Sequence, residues 1–192
     1  HEQPRAITEA LNGRVEDGKV NIKAELNFSD EELQKINRII IVACGTSWHA
    51  SLAGKYMIEN MAHVPCEVDI ASEFRYRNPI IPANSLMIVL TQSGETADTL
   101  AAQREAKKRG AKVLTICNVV GSTSAREAES VFYTRSGPEI GVASTKAFTS
   151  QLTALYIFSI ALARAKDAIK AKEARQLLNE LILLPEKVEK SL

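Results

Sequence analysis

The chain has 192 residues, 45% of them hydrophobic, and a formal net charge of +1. That length suffices for one sizeable core, and the near-neutral charge, with Lys and Arg spread along the chain, excludes a nucleic-acid surface or an acidic-substrate trough. Cys44, Cys66 and Cys117 are odd in number, sit in apolar settings and form no C-x-x-C pair, which predicts reduced core thiols of a cytoplasmic protein. His1, His49 and His63 share no ligand spacing with one another or with a cysteine, so no metal is expected. No uncharged apolar run reaches the roughly 18 residues of a membrane span.

In chain order, the sequence begins with His1 rather than Met and has no leader character, so it reads as a piece of a longer polypeptide. Gln3 to Leu11 predicts a short helix with Pro4 in its first turn and Gly13 closing it. Arg14 to Asn27 is polar and irregular and reads as a surface arm. Ser29 caps a helix over Asp30 to Ile36, with Glu32 completing a capping box. Arg38 to Ala43 is a nearly continuous β-branched run, the pattern of a strand buried on both faces. It stops at Cys44-Gly45-Thr46-Ser47, and a helix follows from Trp48 to Met61.

Glu67 to Ile70 is the second strand, followed by a short helical turn from Ala71 to Tyr76 and a connection broken by Pro79 and Pro82. Leu86 to Leu90 is the third strand, ending in Thr91-Gln92-Ser93-Gly94, with a helical pattern from Glu95 to Arg109. Lys112 to Cys117 is the fourth, Asn118 to Ser124 a turn, Arg126 to Ala128 a fragment of helix, and Val131 to Thr134 the fifth strand. Gly141-Val142-Ala143-Ser144-Thr145-Lys146 opens a long helix to Ala163, with Ser144 as its expected cap. From Asp167 onward the chain is charged with leucines at helical spacing, and Pro185 is expected to interrupt that helix. The expected division is an N-terminal arm over 1–28, a central domain over 29–165 and a C-terminal helical segment over 166–192.

Strands alternating with helices imply right-handed crossovers and a parallel sheet covered on both faces. Ligands of such sheets sit outside the carboxyl ends of the strands, where both hydroxyl-rich turns fall. The first N–H groups of a helix lack intrahelical partners and the dipole places partial positive charge there, so such turns suit an anion. Thr91, Ser93, Thr96 and Thr99 add hydroxyl donors and Gln92 an amide, while Gly94 lets backbone approach a ligand. The glycine pattern of a nucleotide loop is absent, so no nucleotide cofactor is expected. The bland alternative is an ordinary helix cap by Ser93 or Thr96. The carboxylates near these turns are Glu73, Glu95, Asp98 and Glu139; Glu95 and Asp98 read as first-turn residues that complement a dipole, and Lys146 as structural.

Four stretches taken together resemble the sugar-isomerase (SIS) domain family: Cys44-Gly45-Thr46-Ser47, Ser72-Glu73-Phe74-Arg75-Tyr76-Arg77, Thr91 to Thr99, and Gly141 to Gln151. More narrowly they are similar to the first of two SIS subdomains in the glutamine:fructose-6-phosphate aminotransferases. The resemblance implies a three-layer αβα sandwich on a five-stranded parallel sheet, an α/β fold of flavodoxin-like order. It implies that Ser47, Thr91, Gln92, Ser93 and Thr96 hold the phosphate of fructose 6-phosphate or glucosamine 6-phosphate, while Thr46, Val142 and Ser144 contact the sugar. The family usually has serine where Thr91 stands, which keeps the hydroxyl. Its parent proteins carry a glutaminase domain and a second SIS subdomain, work as homodimers, and supply the proton-transfer groups from outside this segment, so no catalytic residue is expected here. The alternatives are a non-catalytic phosphosugar sensor and a free-standing sugar-phosphate isomerase.

Overall fold

The computed structural model describes residues 1–191, the side chains of residues 23 and 24 apart; Leu192, the last residue of the expected C-terminal segment, lies outside them. Helix α1 (Gln3–Leu11) opens the chain, followed by a two-stranded antiparallel hairpin, β1 (Val15–Glu16) and β2 (Lys19–Val20), and a single turn α2 (Lys23–Leu26). Next comes α3 (Asp30–Lys35), whose start carries the expected capping box: the Ser29 hydroxyl accepts from the Glu32 N–H and the Glu32 carboxylate from the Ser29 N–H. The alternating part follows as β3 (Arg38–Ala43), α4 (Thr46–Ala62), β4 (Cys66–Ile70), α5 (Ala71–Tyr76), β5 (Ser85–Leu90), α6 (Ala97–Lys108), β6 (Lys112–Cys117), α7 (Thr123–Glu127) and β7 (Ser130–Tyr133). Two long helices close it, α8 (Lys146–Ala165) and α9 (Ala171–Lys190).

The five strands β3 to β7 form one parallel sheet in the order β4-β3-β5-β6-β7. Successive residues point to opposite faces, so each central strand feeds two cores. Ile39, Ile41, Leu86, Ile88, Leu114 and Ile116 join the core under α1, α4, α8 and α9, whereas Ile40, Val42, Met87, Val89 and Val113 join the one under α5 and α6. Each such side chain withdrawn from water contributes about 1.5 to 3 kcal/mol. That requirement explains the near-absence of polar residues from these strands. The three-layer αβα sandwich and five-stranded parallel sheet expected from the sequence are both present.

Two expectations about the chain's course fail. Arg14 to Asn27 is not an irregular surface arm: it folds as the hairpin and α2, and Ile22 and Leu26 are buried in the main core together with Ile7 and Leu11 of α1. Arg14 itself is fully buried. Its Nη2 lies 2.7 Å from Glu25 Oε2 and 2.6 Å from the Tyr133 carbonyl, its Nη1 donates to the Ala10 carbonyl at 2.8 Å, and its guanidinium stacks 4.0 Å from the centre of the Phe132 ring. Burial lowers the guanidinium's pKa, and the bonds to Glu25 offset part of that effect. The second failure is Pro185, which sits inside a continuous α9. A proline in a helix interior costs about 3 kcal/mol, but Ala174, Leu178 and Leu181 anchor the apolar stripe of α9 in the core.

Arg14→Leu removes one partner of a buried ion pair and leaves the Ala10 and Tyr133 carbonyls unpaired. It should lower stability by about 3 kcal/mol, because breaking such a pair leaves uncompensated buried polarity. A urea titration followed by circular dichroism checks this, and Arg14→Lys should recover little of the loss because a point charge cannot replace the planar fork.

Candidate functional site

The sheet order places β3 beside β5 although β4 lies between them in sequence. The chain leaves β3 for α4 on one face and β5 for α6 on the other, which opens a crevice at the carboxyl ends of the two strands. Cys44 to Ser47 and Thr91 to Thr96 are the loops at that crevice. The loop from Thr134 to Thr145 that leads into α8 covers it. Together they line an open cavity of about 230 Å³. All eight residues singled out from the sequence line it: Thr46, Ser47, Thr91, Gln92, Ser93, Thr96, Val142 and Ser144. Val142 lies at its rim with a fully exposed side chain. The N-termini of α4 and α6 line the cavity, so two helix dipoles present their positive ends to it, whereas the first N–H groups of α8 are bonded to the Glu139 carboxylate.

The hydroxyls are oriented by what they accept. Thr91 Oγ1 accepts from the Gly94 N–H at 3.2 Å and Ser93 Oγ from the Glu95 N–H at 3.2 Å. Ser47 Oγ accepts from Gln151 Nε2 at 2.9 Å. With a lone pair of each oxygen taken, the O–H hydrogens remain to be donated. Thr96 is the N-cap residue of α6, but its side chain makes no capping bond, so neither it nor Ser93 caps the helix in the ordinary way. A cavity of this kind favours a ligand that only accepts hydrogen bonds.

Gly94 has a reason different from the one expected. At φ +70° it occupies the left-handed region, and a Cβ there would stand 2.1 Å from Ser122 Oγ. The space is filled by the neighbouring turn rather than by a ligand. Below it, Ser124 donates its N–H to the Gly94 carbonyl at 3.0 Å and its hydroxyl to Gln103 Oε1 at 2.6 Å, while Gln103 Nε2 returns a bond to the Ser124 carbonyl at 3.0 Å. This buried network holds the Thr91 to Thr96 loop from beneath.

The covering loop is held by two side chains. Asn118 Oδ1 accepts from the Ser136 N–H at 2.8 Å and from the Thr134 and Ser136 hydroxyls, and its Nδ2 donates to the Gly137 carbonyl at 2.7 Å. Glu139 Oε2 accepts from the N–H groups of Thr145 at 3.1 Å and Ala147 at 3.0 Å. Glu139 thereby takes the capping role expected of Ser144, whose hydroxyl stays with the cavity. Partial burial raises the Glu139 pKa, but the three N–H groups of Ala147, Thr145 and Gly141 outweigh it, and the net shift is downward.

Among the other carboxylates, Glu95 precedes α6 and accepts from the Thr123 N–H at 2.7 Å, which lowers its pKa. Asp98 pairs with Arg75 at 3.1 Å. Lys146 is 8% exposed and its Nζ lies 2.6 Å from Glu2 Oε1, which gives it a structural partner. Among the described residues no cluster of three or more metal-ligating side chains occurs, and no helix is long and apolar enough to cross a membrane.

A family profile described as the SIS domain matches residues 32–161. The chain belongs to the SIS domain family. Relatives of this SIS domain include the glutamine–fructose-6-phosphate aminotransferases (isomerizing) of Clostridium tetani, 54% identical over the whole of this chain and 32% of its own length, and of Methanosarcina acetivorans, 49% identical over the whole chain and 31% of its length. The chain thus spans about a third of the curated relatives it matches. Among solved structures, the C-terminal domain of glucosamine-fructose-6-phosphate aminotransferase from Francisella tularensis superposes with a TM-score of 0.91 at 42% identity, over 96% of this chain and 52% of that one. A Clostridium difficile protein put forward as a phosphosugar isomerase shares the fold at 18% identity with a TM-score of 0.82, over 98% of this chain and 51% of that one.

Sequence reasoning missed Gln151, Asn118 and Ser122. Gln151 and Asn118 act from beneath or beside the loops, and in sequence they look like ordinary polar residues of a helix and a turn.

Gly94→Ala should lower the melting temperature and cost about 2 kcal/mol or more, from left-handed strain plus the clash with Ser122; a thermal melt beside Gly110→Ala, whose Cβ would meet nothing within 4 Å, isolates the clash. The three thiols should also separate. Burial pushes Cys66 up to about 12 and Cys117 to about 11, whereas Cys44 lines the cavity. Iodoacetamide at neutral pH should modify Cys44 about tenfold faster than either, as read by peptide mass spectrometry.

Proposed function

We propose that the chain is the fructose-6-phosphate-binding half of the isomerase region of a glutamine-dependent aminotransferase that makes glucosamine 6-phosphate for amino-sugar biosynthesis. The observation that supports it most is the cavity at the β3/β5 crevice, where the eight residues implied by the family resemblance meet as six hydroxyls, an amide and a valine at the rim, beside helix N-termini. A phosphate monoester only accepts hydrogen bonds when fully ionised, which suits donors of that polarity. Ser47, Thr91, Gln92, Ser93 and Thr96 hold the phosphate; Thr46, Val142 and Ser144 meet the sugar.

Aldose–ketose interconversion needs a base to move the proton between C1 and C2. Glu95, Asp98 and Glu139 are each committed to an N–H group or an arginine. On the family resemblance, the proton-transfer groups come from a second SIS subdomain, and the ammonia from a glutaminase domain, both in the parent protein. That parent is read as a cytoplasmic homodimer that uses no cofactor. The segment alone binds the phosphosugar without turning it over.

Calorimetric titration of the purified chain with fructose 6-phosphate should show binding tighter than that of ribose 5-phosphate or inorganic phosphate. Ser93→Ala combined with Thr96→Ala should weaken it by about 1 to 2 kcal/mol for each charge-assisted bond lost, with little change in melting temperature. Unchanged affinity in the double variant would sink the phosphate assignment.

A further inference from the structure

Helix α8 carries several buried polar side chains; Ser150, Thr153 and Ser159 dispose of their polarity within the helix, and Lys146 pairs with Glu2. Ser150 donates its hydroxyl to the Lys146 carbonyl at 3.0 Å, Thr153 to Thr149 at 3.0 Å and Ser159 to Leu155 at 2.7 Å. Gln151, 1% exposed, instead reaches across to α4 and donates Nε2 to Ser47 Oγ at 2.9 Å. Its amide oxygen Oε1 is buried and accepts no hydrogen bond among the described residues. A buried, half-satisfied amide is costly, and an apolar side chain of the same length would avoid that cost. Packing does not account for a glutamine here.

We propose that Gln151 is a positioning residue that sets the polarity of Ser47. The hydroxyl of serine can donate or accept, and in a cavity for an acceptor-only ligand the accepting orientation is unproductive. By donating to Ser47 Oγ, Gln151 occupies a lone pair of that oxygen and leaves its hydrogen for the ligand. The Ser47 backbone is fixed at the same time, because Ser51 Oγ donates to the Ser47 carbonyl at 2.8 Å. The other two hydroxyls with this polarity, Thr91 and Ser93, obtain it from backbone N–H groups of their own loop. Ser47, in the first turn of α4, obtains it from a side chain on another helix. Gly54 lets α4 and α8 approach closely, since a Cβ there would come within 2.7 Å of Leu155 Cδ1.

The inference rests on the anion-binding reading of the cavity, and the test separates the two. Fructose 6-phosphate and inorganic phosphate are titrated into the unchanged chain, Gln151→Met, Ser47→Ala and the combined variant, with a thermal melt of each. Gln151→Met should weaken binding about fivefold, the worth of one ordinary hydrogen bond, and by less than about twofold when Ser47 is already alanine, since its effect passes through that hydroxyl. Its melting temperature should be equal to or above that of the unchanged chain, because an unpaired buried amide oxygen has gone. Gln151→Glu supplies a second readout. Ionised, the carboxylate can only accept from Ser47 and reverses the hydroxyl, so affinity relative to the unchanged chain at each pH should be lowest near pH 8 and recover as the pH falls and the carboxyl takes up a proton.

Equal losses with and without Ser47, no loss at all, or a fall in melting temperature with unchanged affinity would overturn the proposal. Should Gln151→Met fail to fold, the pH profile of Gln151→Glu decides with and without Ser47→Ala, since charge repulsion acts in both; a flat profile, or one unchanged when Ser47 is alanine, overturns it. Binding of phosphate without preference for the hexose would count against the function proposed above yet leave the cycle readable with inorganic phosphate. Binding of neither ligand would overturn both.

Discussion

The parallel pairing of β3 with β5 is the constraint on which the site depends. Arg38 stands opposite Ser85 and Val42 opposite Val89, so the two strands end side by side and their outgoing loops emerge as neighbours. Neither strand has a local reason to find the other, since α4, β4 and α5 intervene in sequence. What fixes the register is that Ile39, Ile41, Leu86 and Ile88 must face one core while Ile40, Val42, Met87 and Val89 face the other. A slip of one residue would exchange the two sets. The precision of the loops at the crevice is therefore inherited from the aliphatic side chains below them.

On that base the cavity is made attractive to an anion without a lysine or arginine. Backbone N–H groups and two helix N-termini supply partial positive charge that burial does not neutralise by proton loss, as it would with an amine. The hydroxyls then need direction, and the structure gives it at Ser47, Thr91 and Ser93 by pairing the oxygen with an N–H donor. Gly94, Ser122, Ser124 and Gln103 belong to the same arrangement: they carry the loop from beneath, so that its donors are placed before any ligand arrives.

The sheet was legible in the sequence because buried parallel strands read as apolar runs, and Arg38 to Ala43, Leu86 to Leu90 and Lys112 to Cys117 lie within a residue of the observed strands. The lining of the cavity was legible for a related reason: its residues cluster at the ends of those runs. What could not be read depends on partners far away in the chain. Arg14 looks like one more charge in a polar stretch until Tyr133 and Phe132 fold over it. Ser144 fits the local rule for a helix cap, but Glu139 reaches the same N–H groups with a stronger acceptor. Pro185 fits the rule for a helix breaker, and the stripe of Leu178 and Leu181 overrides it. Gln151 looks like one more polar residue beside Ser150 and Thr153, but its longer side chain carries an amide across to α4.

An open sheet has two edges, each a row of unpaired backbone groups that could recruit a strand from another molecule. Here they are guarded by different means. On β4 the guard is charge: Glu67 pairs with Arg38 and Arg77, and Asp69 with Arg77 at 2.6 Å, so an incoming strand would have to strip a cluster of ion pairs. On β7 the guard is the beginning of the chain: the Ser130 hydroxyl donates to the Leu26 carbonyl, Asn27 Nδ2 to the Glu129 carbonyl at 3.3 Å, and Arg14 to the Tyr133 carbonyl. The N-terminal segment is thus a fence against edge-to-edge aggregation as well as a part of the core, and the solubility of the sheet is tied to residues more than a hundred positions away from the strand they shield.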